Sequence, residues 1–226
     1  MLNDAHNVDL YQIDELTPDE QLAAISADLS VALIHDVVIA AYDPHVNSFS
    51  NYAPLGSKGT ELQMRVTEFL RDRLCGAGWE MSNLEQVACV FNREDNVRIV
   101  CSTDGGSSVG IDYPARPLLR AKGKGTIRLA GHRGNGTLPI PGLEAFLQND
   151  ELRKLDGLDF YYLLMHIDEA REEIRVELSS PVFDDKGVML RWRRRIILPS
   201  ISTSAEPSVD ARSVPAPEIA VMRKPS

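Results

Sequence analysis

Three strand-length segments joined by short links occupy residues 158–198, and they constrain the fold more than any other part of the chain. Their sequences are LDFYYLLMHID (158–168), EIRVELSS (173–180) and VMLRWRRRIIL (188–198). They are rich in the β-branched and aromatic residues that favour strands. The links are too short for the crossover of about a dozen residues that a parallel pair needs. The sequence therefore predicts a three-stranded antiparallel meander.

The N-terminal part of the chain has helical periodicity instead. One helix is predicted from Thr17 to Asp43, because a capping-box signal at Thr17 to Glu20 is followed by apolar residues at spacings of three and four. A second helix is predicted from Thr60 to Leu74. Gly76 is then predicted to adopt a left-handed conformation as the cap at its C-terminal end.

Shorter elements are predicted between the helices and the meander. The alternating segments 86–91 and 96–102 flank a polar turn, a pattern that indicates a β-hairpin. The stretch TIRLA (126–130) is predicted to be a short strand, and PGLEAFLQN (141–149) a short helix.

This order of elements is typical of an α+β fold in which two N-terminal helices pack on a mainly antiparallel sheet, built from the hairpin and the meander. Residues 1–199 are predicted to form a single domain. Residues 200–226 are rich in Ser, Pro and Ala and are predicted to be a disordered tail.

The sequence lacks a secretory leader and a bilayer-length apolar run. Cys75, Cys89 and Cys101 lack the spacing of a zinc site, and three cysteines are too few for a disulfide scaffold. We therefore expect a cytoplasmic protein with no membrane contact and no structural metal.

Positive charge is concentrated in two segments of an otherwise acidic chain. The formal net charge is −9, yet residues 113–143 contain only basic charges, and residues 181–200 contain more bases than acids. The first segment is rich in glycine, and backbone N–H groups of such a loop can converge on an anion while Lys and Arg supply charge. The candidate ligand-binding residues here are Arg120, Lys122, Lys124, Arg128 and Arg133. The alternative is a solvated surface loop, since the stretch matches neither the P-loop nor the dinucleotide-binding motif.

The second basic segment is the sequence RWRRR (191–195) in the last predicted strand. Alternation places Leu190, Trp192 and Ile196 on one face and the arginines 191, 193 and 195 on the other. The candidate ligand-binding residues here are Arg191, Trp192, Arg193 and Arg195.

A structural role for these arginines is the alternative. The preceding strand has Glu173 and Glu177 on its polar face, and cross-strand ion pairs with the arginines would follow if the apolar faces align. Because the arginines outnumber the glutamates, some positive surface should remain.

Catalysis would need a different set of residues. A metal-dependent nuclease requires carboxylates that converge on Mg²⁺, often with a lysine nearby. The candidate acids are Asp104, Asp112 and Glu177, and the candidate cation is Lys122 or Lys124. The spacing of these residues does not reproduce a known nuclease motif.

Three hypotheses remain open. The first is a non-catalytic protein that binds a phosphate-bearing ligand, most simply nucleic acid, without a cofactor. The second is a nuclease or phosphohydrolase that uses Mg²⁺. The third is a protein-interaction module without a polyanion, in which the Trp/Arg strand is an interface.

Overall fold

The structure of the protein, a computed structural model, describes residues 16–46, 52–54, 56–76, 78–112, 117–130, 155, 157–184 and 186–204. These residues form an α+β fold, as predicted. The helices are α1 (Pro18–Ala23), α2 (Val31–Val46), α3 (Ser57–Leu74) and α4 (Lys124–Leu129). The strands are β1 (Trp79–Ser82), β2 (Cys89–Asn92), β3 (Val97–Ser102), β4 (Asp159–Asp168), β5 (Glu173–Phe183), β6 (Met189–Ile197) and β7 (Ile201–Ser202).

All seven strands belong to one sheet with the order β1-β2-β3-β4-β5-β6, and β7 pairs with the start of β5. The predicted hairpin (β2–β3) and the predicted meander (β4–β5–β6) are both confirmed. The central pair β3–β4 is parallel, with Val97 opposite Asp159. Because parallel neighbours need a crossover, the long connection from Thr103 to Leu158 must leave the sheet and return.

Each face of the sheet carries its own apolar core. Helices α1, α2 and α3 cover one face, here called the helix face, and the described parts of the connection between β3 and β4 cover the other, here called the loop face. The helix-face core includes Leu22, Val38, Leu62, Val66, Leu70, Ile99, Leu163, Val176 and Ile196. The loop-face core includes Phe91, Val100, Val109, Leu119, Leu129, Phe160, Leu164 and Phe183.

The prediction of one continuous helix from Thr17 to Asp43 is wrong, because residues 24–30 between α1 and α2 are not helical. The capping box at Thr17 is present: its hydroxyl accepts the Glu20 N–H, and Glu20 Oε2 accepts the Thr17 N–H at 2.8 Å. After the break, Asp19 Oδ1 accepts the Val31 N–H at 2.7 Å. Ser26 donates to Asp95 Oδ2 at 2.6 Å. These side-chain hydrogen bonds compete with helical backbone bonding and stabilise the non-helical link between α1 and α2.

Three smaller predictions also need correction. Helix α3 begins at Ser57 rather than Thr60, and its cap residue is the extended Cys75. The predicted positive φ of Gly76, the next residue, is confirmed. The predicted strand 126–130 is wrong, because helix α4 occupies Lys124–Leu129. Helical hydrogen bonds run from the Ile127 N–H to the Gly123 carbonyl and from the Ala130 N–H to the Thr126 carbonyl. The predicted tail begins too early, because Ile201 and Ser202 pair with β5. The predicted helix 141–149 and residues 205–226 lie outside the described residues.

Within the ranges given above, every helix is too short or too polar to cross a lipid bilayer.

Candidate basic interface

The two basic segments, far apart in sequence, touch each other in the structure. Trp192 on β6 donates its indole N–H to the carbonyl oxygen of Pro117 at 3.1 Å. The backbone N–H of Lys122 donates to the carbonyl of Gly187, in the β5–β6 turn, at 2.9 Å. The name basic lobe is used below for residues 117–124 together with residues 191–195. The lobe therefore lies at the β6 edge of the sheet.

Strand β6 does not alternate regularly, so the predicted faces are wrong for Trp192. Arg194 lies opposite Ser180 and Trp192 lies opposite Pro181, which leaves Arg193 as an extra residue in a β-bulge. The bulge turns Trp192 to the loop face, where it packs against the loop-face core, while Ile196 remains in the helix-face core. Half-buried and hydrogen-bonded, Trp192 joins the two segments of the lobe.

Four cations of the basic lobe point to solvent. Lys124 and Arg191 are exposed and have no ion-pair partner among the described residues. Arg120 is 92% exposed and lies 3.8 Å from Asp104, while Arg193 is 57% exposed and lies 3.6 Å from Asp159. Exposed ion pairs at such distances contribute little free energy, so these side chains can exchange their partners for a ligand.

Lys122 has a different role, because it is largely buried against Asp104. Its Nζ lies 2.6 Å from Asp104 Oδ2 and 5.3 Å from the centre of the Tyr162 ring. Burial by itself would raise the pKa of Asp104, but hydrogen bonds from Lys122 and from the backbone of Arg120 outweigh it and hold that pKa below its ordinary value. The pair anchors the loop of the lobe to the end of β3.

Arg195 is the second buried cation of the lobe. Its guanidinium donates to Glu177 Oε1 at 3.2 Å and to the carbonyl of Ile111 at 3.0 Å. Glu177 is fully buried and also accepts the Ser179 hydroxyl at 2.8 Å and the Gly110 N–H at 2.9 Å. One of the two expected cross-strand pairs is thus present. Glu173, the other glutamate, lies near Arg171 and Arg175 instead.

The three candidate catalytic acids do not converge. Asp104 is paired with Lys122, Glu177 is buried beside Arg195, and Asp112 is exposed. No group of three or more His, Cys, Asp or Glu in the described part of the chain is arranged to hold a metal ion. Among the described residues proposed for the enzyme hypothesis, only Asp104 and Lys122 are in contact. The side chain of Arg128 and the whole of Arg133 lie outside the described residues.

A large cleft, which the sequence did not indicate, adjoins the basic lobe. Its volume is about 1230 Å³, and Arg120, Ala121 and Lys122 form part of its wall. A stripe of residues along α3 and its two caps, from Gly56 to Cys75, forms a second part of the wall, and the end of β3 forms a third. The cleft-lining residues of α3 recur at spacings of three and four, as a helix face does. Because most of them are polar, the sequence marks this face only as a surface beside the apolar stripe and does not indicate a cleft.

The three free cysteines differ in their access to solvent, which leads to a prediction about thiol labelling. Cys75 is half-buried, while Cys89 and Cys101 are 1% and 2% exposed, and burial raises the pKa of Cys101 to about 12. Burial also raises the pKa of Cys75, but it is the one thiol of the three that solvent reaches, so we expect one thiol to react much faster than the other two in the native protein. Labelling with Ellman's reagent measures this, and Cys75→Ser should abolish the rapid phase. Rapid reaction of two or more thiols would contradict the packing of the sheet.

The fold and the lobe define an α+β protein with a mixed sheet that carries an apolar core on each face and has two base-rich segments in contact at its β6 edge. Comparisons with protein families, with curated proteins and with solved structures found no match to this chain.

Proposed function

We propose that this protein binds a phosphate-bearing ligand, most simply nucleic acid, through the basic lobe. The observation that carries the proposal is the contact between the two basic segments, made by the Trp192–Pro117 and Lys122–Gly187 hydrogen bonds. Either segment alone would be a solvated patch. Together they form a larger positive surface at one edge of an acidic protein.

The difference in exposure among the cations of the lobe supports this proposal. Lys122 and Arg195 are held by acids and fix the backbone, while Arg120, Lys124, Arg191 and Arg193 remain exposed. Guanidinium and ammonium groups on a rigid scaffold form charge-assisted hydrogen bonds with phosphate oxygens. Contacts of this kind position a polyanion and give affinity without requiring a particular base sequence.

The test is a binding titration with single-stranded and double-stranded oligonucleotides at about 50 and 200 mM salt, a range over which phosphate contacts lose much of their affinity. We expect binding at the lower concentration that falls steeply at the higher one. The double variant Arg191→Ala, Arg193→Ala removes two exposed cations, so the slope of log K against log salt should become shallower by about 1.5.

The matched control is Arg73→Ala, Arg93→Ala, which removes the same charge from α3 and from the β2–β3 turn, near the other end of the strand order. This control should leave both the affinity and the salt slope close to those of the unchanged protein. Absence of binding at low salt, or equal effects of the two double variants, would refute the proposal and leave a protein partner as the better candidate for this edge.

A further inference from the structure

The cleft beside the basic lobe is elongated. Its α3 wall includes Gly56, Thr60, Gln63, Thr67, Arg71 and Cys75, which succeed one another at spacings of three and four along the whole helix. At 1.5 Å per residue, the 18-residue helix is about 27 Å long. A cleft that follows a helix over this length accommodates a segment of an extended chain better than one compact molecule.

Among the described residues that line the cleft, acids and bases are equal in number. Its charged lining consists of Glu68, Asp72 and Asp104 and of Arg71, Arg120 and Lys122. The charge of Lys122 is compensated by Asp104 at 2.6 Å. Arg71 donates to the carbonyl of Ser82 at 2.7 Å, to Asn83 Oδ1 at 2.9 Å and to the carbonyl of Cys89 at 3.2 Å. A phosphate inside the cleft would therefore have little to bind, whereas a neutral polar group would fit.

The remaining lining suits flat heterocyclic groups. The walls contain neutral hydrogen-bonding side chains, among them Thr60 and Gln63, and two exposed methionines, Met64 at 67% and Met81 at 62% exposure. Methionine side chains are flexible and polarisable, and they make favourable contacts with aromatic rings. Hydrogen-bonding side chains can in turn pair with the edges of unpaired bases.

Arg120 connects the cleft to the lobe, because it belongs to both. We propose that the cleft receives unpaired bases while the lobe holds the phosphates, so that the ligand is a single-stranded nucleic acid. This inference rests on the proposed function and adds to it the class of nucleic acid. A duplex is disfavoured because its bases are paired and stacked and cannot enter the cleft.

Three fluorescent probes of equal length test the inference in anisotropy titrations: a mixed-sequence single strand, an abasic strand with the same phosphates, and a duplex. Contacts of the bases with the two methionines and with the hydrogen-bonding side chains should together make the mixed-sequence strand bind about 10-fold more tightly than the abasic strand. The duplex should resemble the abasic strand. Equal affinities of the three probes would overturn the inference and leave the proposed function intact, whereas absence of binding by every probe would refute both.

Two variants place a bulky ring in the cleft from α3, outside the phosphate-binding lobe: Thr60→Trp and Gln63→Trp. Each should lower the affinity of the mixed-sequence strand to that of the abasic strand and leave the abasic strand unaffected. The control is Ala32→Trp, which adds the same side chain at an exposed position of α2 that does not line the cleft. If both blocking variants keep the preference for bases and unfold at the same temperature as the control, the inference is wrong.

Competition with adenosine monophosphate distinguishes a strand from a free nucleotide. We expect no displacement of the strand at equal phosphate concentration, because one nucleotide cannot span the lobe and the cleft. Displacement at that concentration would assign the cleft to a free nucleotide and would overturn the inference.

Discussion

Arg195→Met is expected to lower the free energy of unfolding by about 3–5 kcal/mol, the usual cost of leaving one member of a buried ion pair without its partner. The carboxylate of Glu177 is fully buried, and Arg195 supplies its compensating charge. The variant also loses the hydrogen bond from Arg195 to the carbonyl of Ile111. Urea denaturation of the variant and the unchanged protein measures the difference.

Arg193→Met is the matched control, because it makes the same change two positions earlier in an exposed pair with Asp159. It should change the free energy of unfolding by about 1 kcal/mol or less. Adding Glu177→Gln to Arg195→Met should recover part of the loss, since it removes the uncompensated charge and keeps an acceptor for the Ser179 hydroxyl or the Gly110 N–H. If Arg193→Met and Arg195→Met lower the free energy of unfolding equally, the buried pair contributes no more to stability than the exposed one.

Gly187→Ala is expected to lower the free energy of unfolding by about 3 kcal/mol, which corresponds to roughly 6–12 °C in melting temperature for a chain of this size. Gly187 has φ +79°, and an added Cβ would collide with the carbonyl of Lys122 and lie 2.8 Å from Ile127 Cδ1. The collision also disturbs the backbone hydrogen bond that docks the lobe on the β5–β6 turn. Thermal unfolding followed by circular dichroism measures the shift.

Gly157→Ala separates the steric part of this effect from the backbone part. Gly157 has the same φ of +79°, but among the described residues, its chain neighbours apart, no heavy atom lies within 4 Å of the position of its added Cβ. It should therefore cost only the strain of a left-handed alanine, about 1–2 kcal/mol. If the two alanine variants unfold alike, the contact between Lys122 and the β5–β6 turn does not hold the lobe in place.

The parts of the fold that follow from neighbours in sequence could be predicted. Alternation and short turns were sufficient for the meander and the hairpin, and helical periodicity was sufficient for α3. The parallel pairing of β3 with β4 could not be predicted, because its partners are separated by the whole connection from Thr103 to Leu158. Strand β1 is four residues long and has too little pattern to be recognised.

Buried charges explain why the site was harder to predict than the fold. Alternation would place Arg98 on a polar face, yet it is 1% exposed on β3 and donates to the carbonyls of Leu155 at 2.7 Å and Leu158 at 3.3 Å. These acceptors come from a distant segment. Strand alternation did indicate that Arg195 can pair with Glu177, but nothing near Lys122 in sequence indicated that its ammonium group is held by Asp104. Only such pairing distinguishes anchoring cations from exposed ones.

The parallel centre of the sheet has a consequence for how the molecule assembles. Strands β1–β3 and strands β4–β6 can each form from contacts that are close in sequence, whereas joining the two groups requires the chain to close a loop from Thr103 to Leu158. Closing a long loop costs entropy before any new contact is gained, and such steps slow folding. We therefore expect the parallel pairing of β3 with β4 to form late during refolding. Residues 117–124 of the basic lobe belong to the connection between β3 and β4. The two segments of the lobe should therefore come into contact only after β3 has paired with β4.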